Sequence, residues 1–216
     1  MKQRFLPLLA ICIATVSVFA QSSDPAAKAI LDGVSAKFKT YKAVQAGFTL
    51  KVEDAKGKLQ GSKKGTVYMK GAKYKVAVTG QEIFCDGKSV WTYDKAANEV
   101  TITKFEPSAN SMTPQKIFTD FYDKDFLYKL NGEKTENGKV IQEIELTPTD
   151  KTRSFFKVLV YVDKKTKNIS SSKVLEKSGN KYTYGISNLN GNSNIPDEQF
   201  VFDKKKYPGV EEVDLR

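Results

Sequence analysis

Few residues in this chain could carry out chemistry. It contains no histidine, so serine–histidine and cysteine–histidine nucleophile pairs and histidine metal sites are unavailable. Its two cysteines, Cys12 and Cys85, are too few for a thiolate zinc site. Carboxylate pairs could in principle supply a general acid and base. Glu143 and Glu145, however, alternate as solvent-facing strand residues do, and Glu211 and Glu212 sit in a terminal strand, so exposure is the simpler account. Gly57, Gly61 and Gly65 fall in a hairpin context and open no helix, as a phosphate-cradling loop must. The inventory therefore points away from enzymatic function, with no cofactor and no metal expected.

Charge is the next candidate. The chain has 35 Lys+Arg against 25 Asp+Glu. The lysines are scattered through turns and solvent faces, and only Arg153 and Arg216 provide guanidinium groups beyond residue 20, which argues against nucleic acid as a partner. Lys63-Lys64, Lys164-Lys165 and Lys204-Lys205-Lys206 read as protection of strand edges against pairing with other chains. Attraction to anionic membrane surfaces or acidic partners is the functional alternative for these charges.

The elements that would position these residues begin after a segment of different character. Lys2 and Arg4 precede an apolar run from Phe5 to Phe19 that ends in Val18-Phe19-Ala20, the grammar of a cleaved secretory signal over residues 1–20. Pro7 interrupts the run, which is shorter than the roughly 20 apolar residues of a membrane-spanning helix. Bulky Ile11 before Cys12 argues against lipoprotein processing there. Without Lys2 and Arg4 the count falls from 35 to 33 cations against 25 carboxylates, a formal +8. Cys85 is then the sole cysteine, read as a small buried hydrophobe.

Residues 21–216 are expected to form a single domain. Asp24 and Pro25 are a helix start, and Ile30, Leu31, Val34, Phe38 and Tyr41 recur at helical spacing as far as about Val44. After Gly47 the period becomes two. Strands are predicted around Phe48 to Val52, Thr66 to Met69, Lys73 to Val78, Ile83 to Cys85, Val90 to Tyr93 and Val100 to Ile102, with Asp86-Gly87 as a hairpin turn. A second helical patch follows Pro114, carrying Ile117, Phe118, Phe121 and Tyr122, with Phe126 and Leu127 beyond. Strands resume at Val140 to Leu146, Phe155 to Val162, Ile169 to Leu175 and Lys181 to Asn188, and Phe200 to Asp203 and Glu211 to Leu215 close the series. Short turn-linked strands without crossover helices make an antiparallel sheet. Such a meander can curl around a filled core or around a hollow. Phe48, Leu50, Val67, Met69, Tyr74, Val76, Trp91 and Tyr93 would serve as either core or cavity wall.

The segment Gln81 to Asp94, with its apolar strand, Asp-Gly-Lys turn and Trp91-Thr92-Tyr93-Asp94, followed by Glu99-Val100-Thr101-Ile102, resembles the periplasmic outer-membrane lipoprotein carrier proteins of the LolA type. Met69-Lys70-Gly71-Ala72-Lys73-Tyr74-Lys75-Val76, Phe200-Val201-Phe202, Pro208-Gly209-Val210 and Asp214 extend the likeness over nearly the whole chain after the signal. The resemblance implies a mainly β fold with a few helices: an unclosed antiparallel β-barrel, or half-barrel, covered by a helical lid. It implies an acyl-chain cavity walled by the eight residues above, and a lid built from Ile30, Val34, Phe38, Ile117, Phe118, Phe121 and Phe126. The implied protein is a periplasmic monomer that receives acylated lipoproteins from an inner-membrane lipoprotein-releasing ABC transporter and yields them to an outer-membrane acceptor. A regulatory or interaction module of the same fold, sensing lipoproteins or lipids, is the alternative. One departure stands out, since relatives hold the lid with an arginine in the region of Lys70 and Gly71, and here only Lys70 could donate to a lid carbonyl. An ammonium lacks the planar fork of a guanidinium.

Overall fold

The computed structural model describes residues 23–106, 114–115 and 122–216. The expected signal segment and the lid residues Ile117, Phe118 and Phe121 lie outside the described residues. A helix, α1 (Pro25–Lys39), precedes β1 (Val44–Glu53), β2 (Leu59–Lys70), β3 (Lys73–Val78), β4 (Gln81–Cys85), β5 (Ser89–Asp94) and β6 (Glu99–Lys104). A single helical turn, α2 (Tyr122–Asp125), leads into β7 (Phe126–Glu136), β8 (Lys139–Pro148), β9 (Phe155–Asp163), β10 (Ile169–Glu176), β11 (Lys181–Asn190) and β12 (Glu211–Asp214). The twelve strands of the described residues form one sheet in the order β12-β6-β5-β4-β3-β2-β1-β11-β10-β9-β8-β7. Its edges, β12 and β7, do not pair, so the barrel is unclosed as expected. Neighbours are antiparallel throughout except that β12 runs parallel to β6.

Local chemistry accounts for the boundaries. The Asp24 carboxylate accepts the Ala26 amide at 2.8 Å, capping α1, and its second oxygen accepts the Leu130 amide at 2.9 Å. The Asp24 amide in turn donates to the Tyr128 carbonyl at 2.9 Å, so the helix start is fastened to β7. The helix ends at Lys39 instead of near Val44. The Thr40 hydroxyl and amide both return to the Lys37 carbonyl, and Val44, 2% exposed, is the first residue of β1.

Two further expectations are corrected. Phe126 and Leu127 open a strand instead of ending a helical patch; β7 pairs with β8 around Asn137-Gly138, whose φ angles of 50° and 74° suit a tight two-residue hairpin turn. Phe200 to Asp203 is no strand: Asp197–Phe200 forms a 3-10 turn, and Phe200 and Phe202 point into apolar clusters.

The apolar residues bury on both faces of the sheet. On one, Leu31 and Val34 of α1 join Val44, Ala46, Met69, Cys85, Ile144, Leu146, Val160 and Val162 in the main core. On the other, Phe84, Tyr93 and Val100 pack under Phe202 and Val210. Leu146 is fully buried in the main core, so Leu146→Ala is expected to lower stability by about 2–5 kcal/mol, read as a fall in the urea midpoint.

Candidate functional site

Register decides which side chains can share a surface, because successive strand residues point to opposite faces. Tyr74 pairs with Cys85, and Cys85 with Val90, on the face that α1 covers. Val67, Met69 and Tyr74 are buried on this face, and Phe48 and Val76 pack half-buried beside them. Leu50, two positions beyond Phe48 in β1, shares it.

Trp91 and Tyr93, expected on the cavity wall, belong to the opposite face. Phe84 pairs with Trp91, and Glu82 with Tyr93, one position out of phase with Cys85 and Val90. Phe202 lies 5.7 Å from the Phe84 ring, and Tyr207 lies 4.5 Å from both Tyr93 and Phe202, centroid to centroid. Beneath this cluster Glu82 accepts the Tyr207 hydroxyl at 2.6 Å and meets Lys75 at 2.8 Å. Burial works to raise the Glu82 carboxyl, and the Lys75 and Tyr207 hydrogen bonds outweigh it, leaving it below the usual range.

Lys70 also faces away from α1. It donates to the Asp197 carboxylate at 2.8 Å and the Ile195 carbonyl at 3.2 Å, and Lys73 meets the other Asp197 oxygen at 2.6 Å. Both acceptors belong to the segment that follows β11.

Beside the core, the α1-covered face continues as an apolar strip. Phe48 pairs with Ile186, Leu50 with Tyr184 and Val52 with Tyr182, which pairs in turn with Val174. These side chains are half-buried, except that Tyr184 is 37% exposed. Phe48 lies across Gly65, where an added side-chain carbon would come within 2.6 Å of its ring. Tyr182, Tyr184 and Ile186 went unrecognised as site residues in the sequence, although their period-two spacing was the available signal.

Of the lid residues, Val34 is buried and Ile30 and Phe38 pack partly buried against the core. Phe126 stands in β7 with its ring 6.2 Å from Phe155, so it belongs to the sheet. Polar contacts help hold α1: Asp32 accepts the Tyr122 hydroxyl at 2.8 Å, and just past the helix the Tyr41 hydroxyl donates to Asn168 at 2.9 Å. A cleft of about 250 Å³ lies between Ile30 and Gly33 of α1 and Gln142, Val162, Lys164 and Lys167. It is smaller than ordinary ligand pockets of roughly 300–1,000 Å³, and its lysines do not suit an acyl chain.

Cys85 is fully buried. Burial pushes its thiol above the usual range and pushes the neighbouring Tyr74 hydroxyl up to about 12. Neither is poised for nucleophilic chemistry at neutral pH. Among the carboxylates considered for catalysis, Glu145 pairs with Lys157, Glu143 accepts from Asn131, and Glu212 pairs with Lys204.

The Lys70 and Lys73 hydrogen bonds hold the Asp197 carboxyl at about 2, below its ordinary 3.8. A depressed carboxyl stabilises the fold above its unfolded value, and that contribution is lost as pH falls through the folded value. Between pH 3.8 and about 2, amide-exchange protection of the Asp197–Phe200 turn is therefore expected to fall, whereas Asp197→Asn lowers it already at neutral pH.

Comparison with known proteins agrees with this architecture. The family model described as outer membrane lipoprotein carrier protein LolA matches residues 39–203. A protein named outer-membrane lipoprotein carrier protein from Cupriavidus necator is 26% identical over 197 residues, covering 88% of this chain and 90% of that one. An uncharacterized conserved protein from Thermus thermophilus has a similar structure, with a TM-score of 0.59 at 14% identity, covering 88% of this chain and 99% of the other. The Mycobacterium tuberculosis lipoprotein LppX gives 0.53 at 12% identity, covering 81% and 100%. With the family model spanning most of the sequence and the open sheet to match, the chain belongs to the LolA outer-membrane lipoprotein carrier family.

Proposed function

We propose that this protein is a non-enzymatic carrier that binds the acyl chains of lipoproteins on the α1-covered face and shuttles them between membranes. The observation that carries the reading is the apolar strip of Phe48, Leu50, Val52, Val174, Tyr182, Tyr184 and Ile186, left half-buried beside a well-filled core. Each acyl methylene buried there contributes roughly 0.8 kcal/mol, so a short length of chain laid along the strip offsets exposure to water. Binding must be reversible, so a movable cover over the strip is expected. Of the residues expected to wall the cavity, Phe48, Leu50, Val67, Met69, Tyr74 and Val76 lie on the face proposed to take the acyl chains. Trp91 and Tyr93 do not. The donor is an inner-membrane lipoprotein-releasing ABC transporter and the acceptor lies at the outer membrane, which places the carrier in the periplasm.

Native mass spectrometry with a diacylated peptide is the direct test. The expected result is a one-to-one complex, weakened about tenfold or more by Leu50→Glu or Tyr184→Glu. Failure to bind any acylated ligand, with co-purification of a membrane regulator in its place, would overturn the reading. Export predicts a mature chain that begins at Gln21, checked by N-terminal sequencing of periplasmic protein.

A further inference from the structure

We infer that one end of the sheet, formed by the β1–β2, β8–β9 and β10–β11 connections, is a docking surface for an anionic phospholipid bilayer. The three connections lie side by side. Glu53 at the end of β1 pairs with both Leu59 and Lys181, and the Lys177 amide donates to the Ser154 carbonyl at 2.9 Å. Ala55 packs so closely on Gly179 that a side-chain carbon there would fall 2.6 Å from its methyl.

Two properties coincide at this end. The first is unpaired positive charge: Lys56, Lys58, Lys63, Lys64 and Lys177 are exposed and Lys181 half-buried, and none has a carboxylate at ion-pair distance among the described residues. Ion pairs do occupy Lys70 and Lys73 with Asp197, Lys75 with Glu82, Lys157 with Glu145 and Lys164 with Glu133; Lys88 and Lys104 at the opposite end are also exposed. The carboxylates near the first six keep their charge but are outnumbered, since Lys151 and Arg153 join the six lysines against Glu53, Asp54, Asp125, Asp150 and Glu176. Asp54 accepts the Lys56 and Lys58 amides and the Gln60 side chain, Asp150 accepts from Thr152, Asp125 pairs with Arg153, and Glu176 accepts the Ser178 hydroxyl. Glu53 is half-buried within its strand.

The second property is exposed apolar surface. Leu59 is 55% exposed, Phe156 46% and Tyr184 37%. Apolar side chains among lysines suit the interface of an anionic membrane, where headgroup charge holds the ammonium groups and the apolar tips enter the acyl boundary. The edge of β2 contributes as well. Its pairing with β3 begins only at Gly65, so Leu59 to Lys64 project beyond their neighbour. Edge protection explains lysines on that projection, but it does not explain an exposed leucine beside them.

This inference stands apart from the carrier reading, because docking requires no cargo. The test is flotation of ligand-free mature protein with vesicles of phosphatidylcholine alone, or of equimolar phosphatidylcholine and phosphatidylglycerol. Binding is expected only to the phosphatidylglycerol vesicles, with loss at high salt. Lys63→Glu with Lys64→Glu should lower partitioning by about tenfold or more, whereas Lys88→Glu with Lys104→Glu, at the opposite end, should leave it unchanged. Because Cys85 is buried, Leu59→Cys can be labelled selectively with an environment-sensitive fluorophore, whose emission should shift to the blue on phosphatidylglycerol vesicles. Circular dichroism establishes that each variant is folded. Equal binding to both vesicle types, equal loss from both pairs of reversals, or no binding to either vesicle would overturn the inference.

Discussion

The pairing of β1 with β11 is the interaction on which the rest of the structure depends. It joins two meanders, β1 to β6 and β7 to β11, into one sheet. The seam is close-fitting on the face away from α1. A side-chain carbon at Gly47 would fall 2.7 Å from the Ser187 hydroxyl, and one at Gly185 would fall 2.8 Å from the Thr49 hydroxyl. The opposite side of the same seam carries Phe48, Leu50, Tyr184 and Ile186. Bare backbone behind thus permits close strand pairing, while the front keeps large apolar side chains that the core does not consume.

An open sheet of this width has two faces to cover, and the chain covers them by different means. Over the C-terminal meander a helix supplies Ala27, Leu31 and Val34. Over β4 to β6 the segment after β11 returns with Phe202, Tyr207 and Val210, tied down at Asp197 by Lys70 and Lys73. The lysine in the region where relatives carry a lid arginine therefore serves the back of the sheet. On the front, the neutral Tyr41 hydroxyl reaches across to Asn168 instead. That neutral contact adds to charge-assisted ones, the Leu130 amide on Asp24 and the Tyr122 hydroxyl on Asp32, which fix α1 beside β7.

Much of this architecture was legible in the sequence. Helical spacing from Ile30 to Phe38, the Asp24-Pro25 start and the Asp86-Gly87 turn are local signals, and each appears where its chemistry requires. Parity was harder to read. Trp91 and Tyr93 look like front-face residues because they are large and aromatic, whereas Val90 and Thr92 look ordinary; the sheet is apolar on both sides at that point, so alternation alone could not choose. Of the covering aromatics, Phe202 lies in a stretch whose alternation suggests a strand that does not form, and Tyr207 lies beyond it, outside any predicted element. Phe126 was read as helical because it follows an aromatic run, and pairing with Pro148 makes it a strand residue. The parallel placement of β12 on β6 rests on a four-residue strand whose partner no local pattern identifies.

The seam also has a consequence for the order of synthesis. Phe48 emerges early but meets Ile186 only when most of the chain has followed, and β6 likewise waits for β12. Until then β1 presents an unpaired edge, and contacts so distant in sequence form late. The hairpins within each meander are local and can form meanwhile, so for that interval β1, paired with β2 on one side only, offers an open strand edge to other chains.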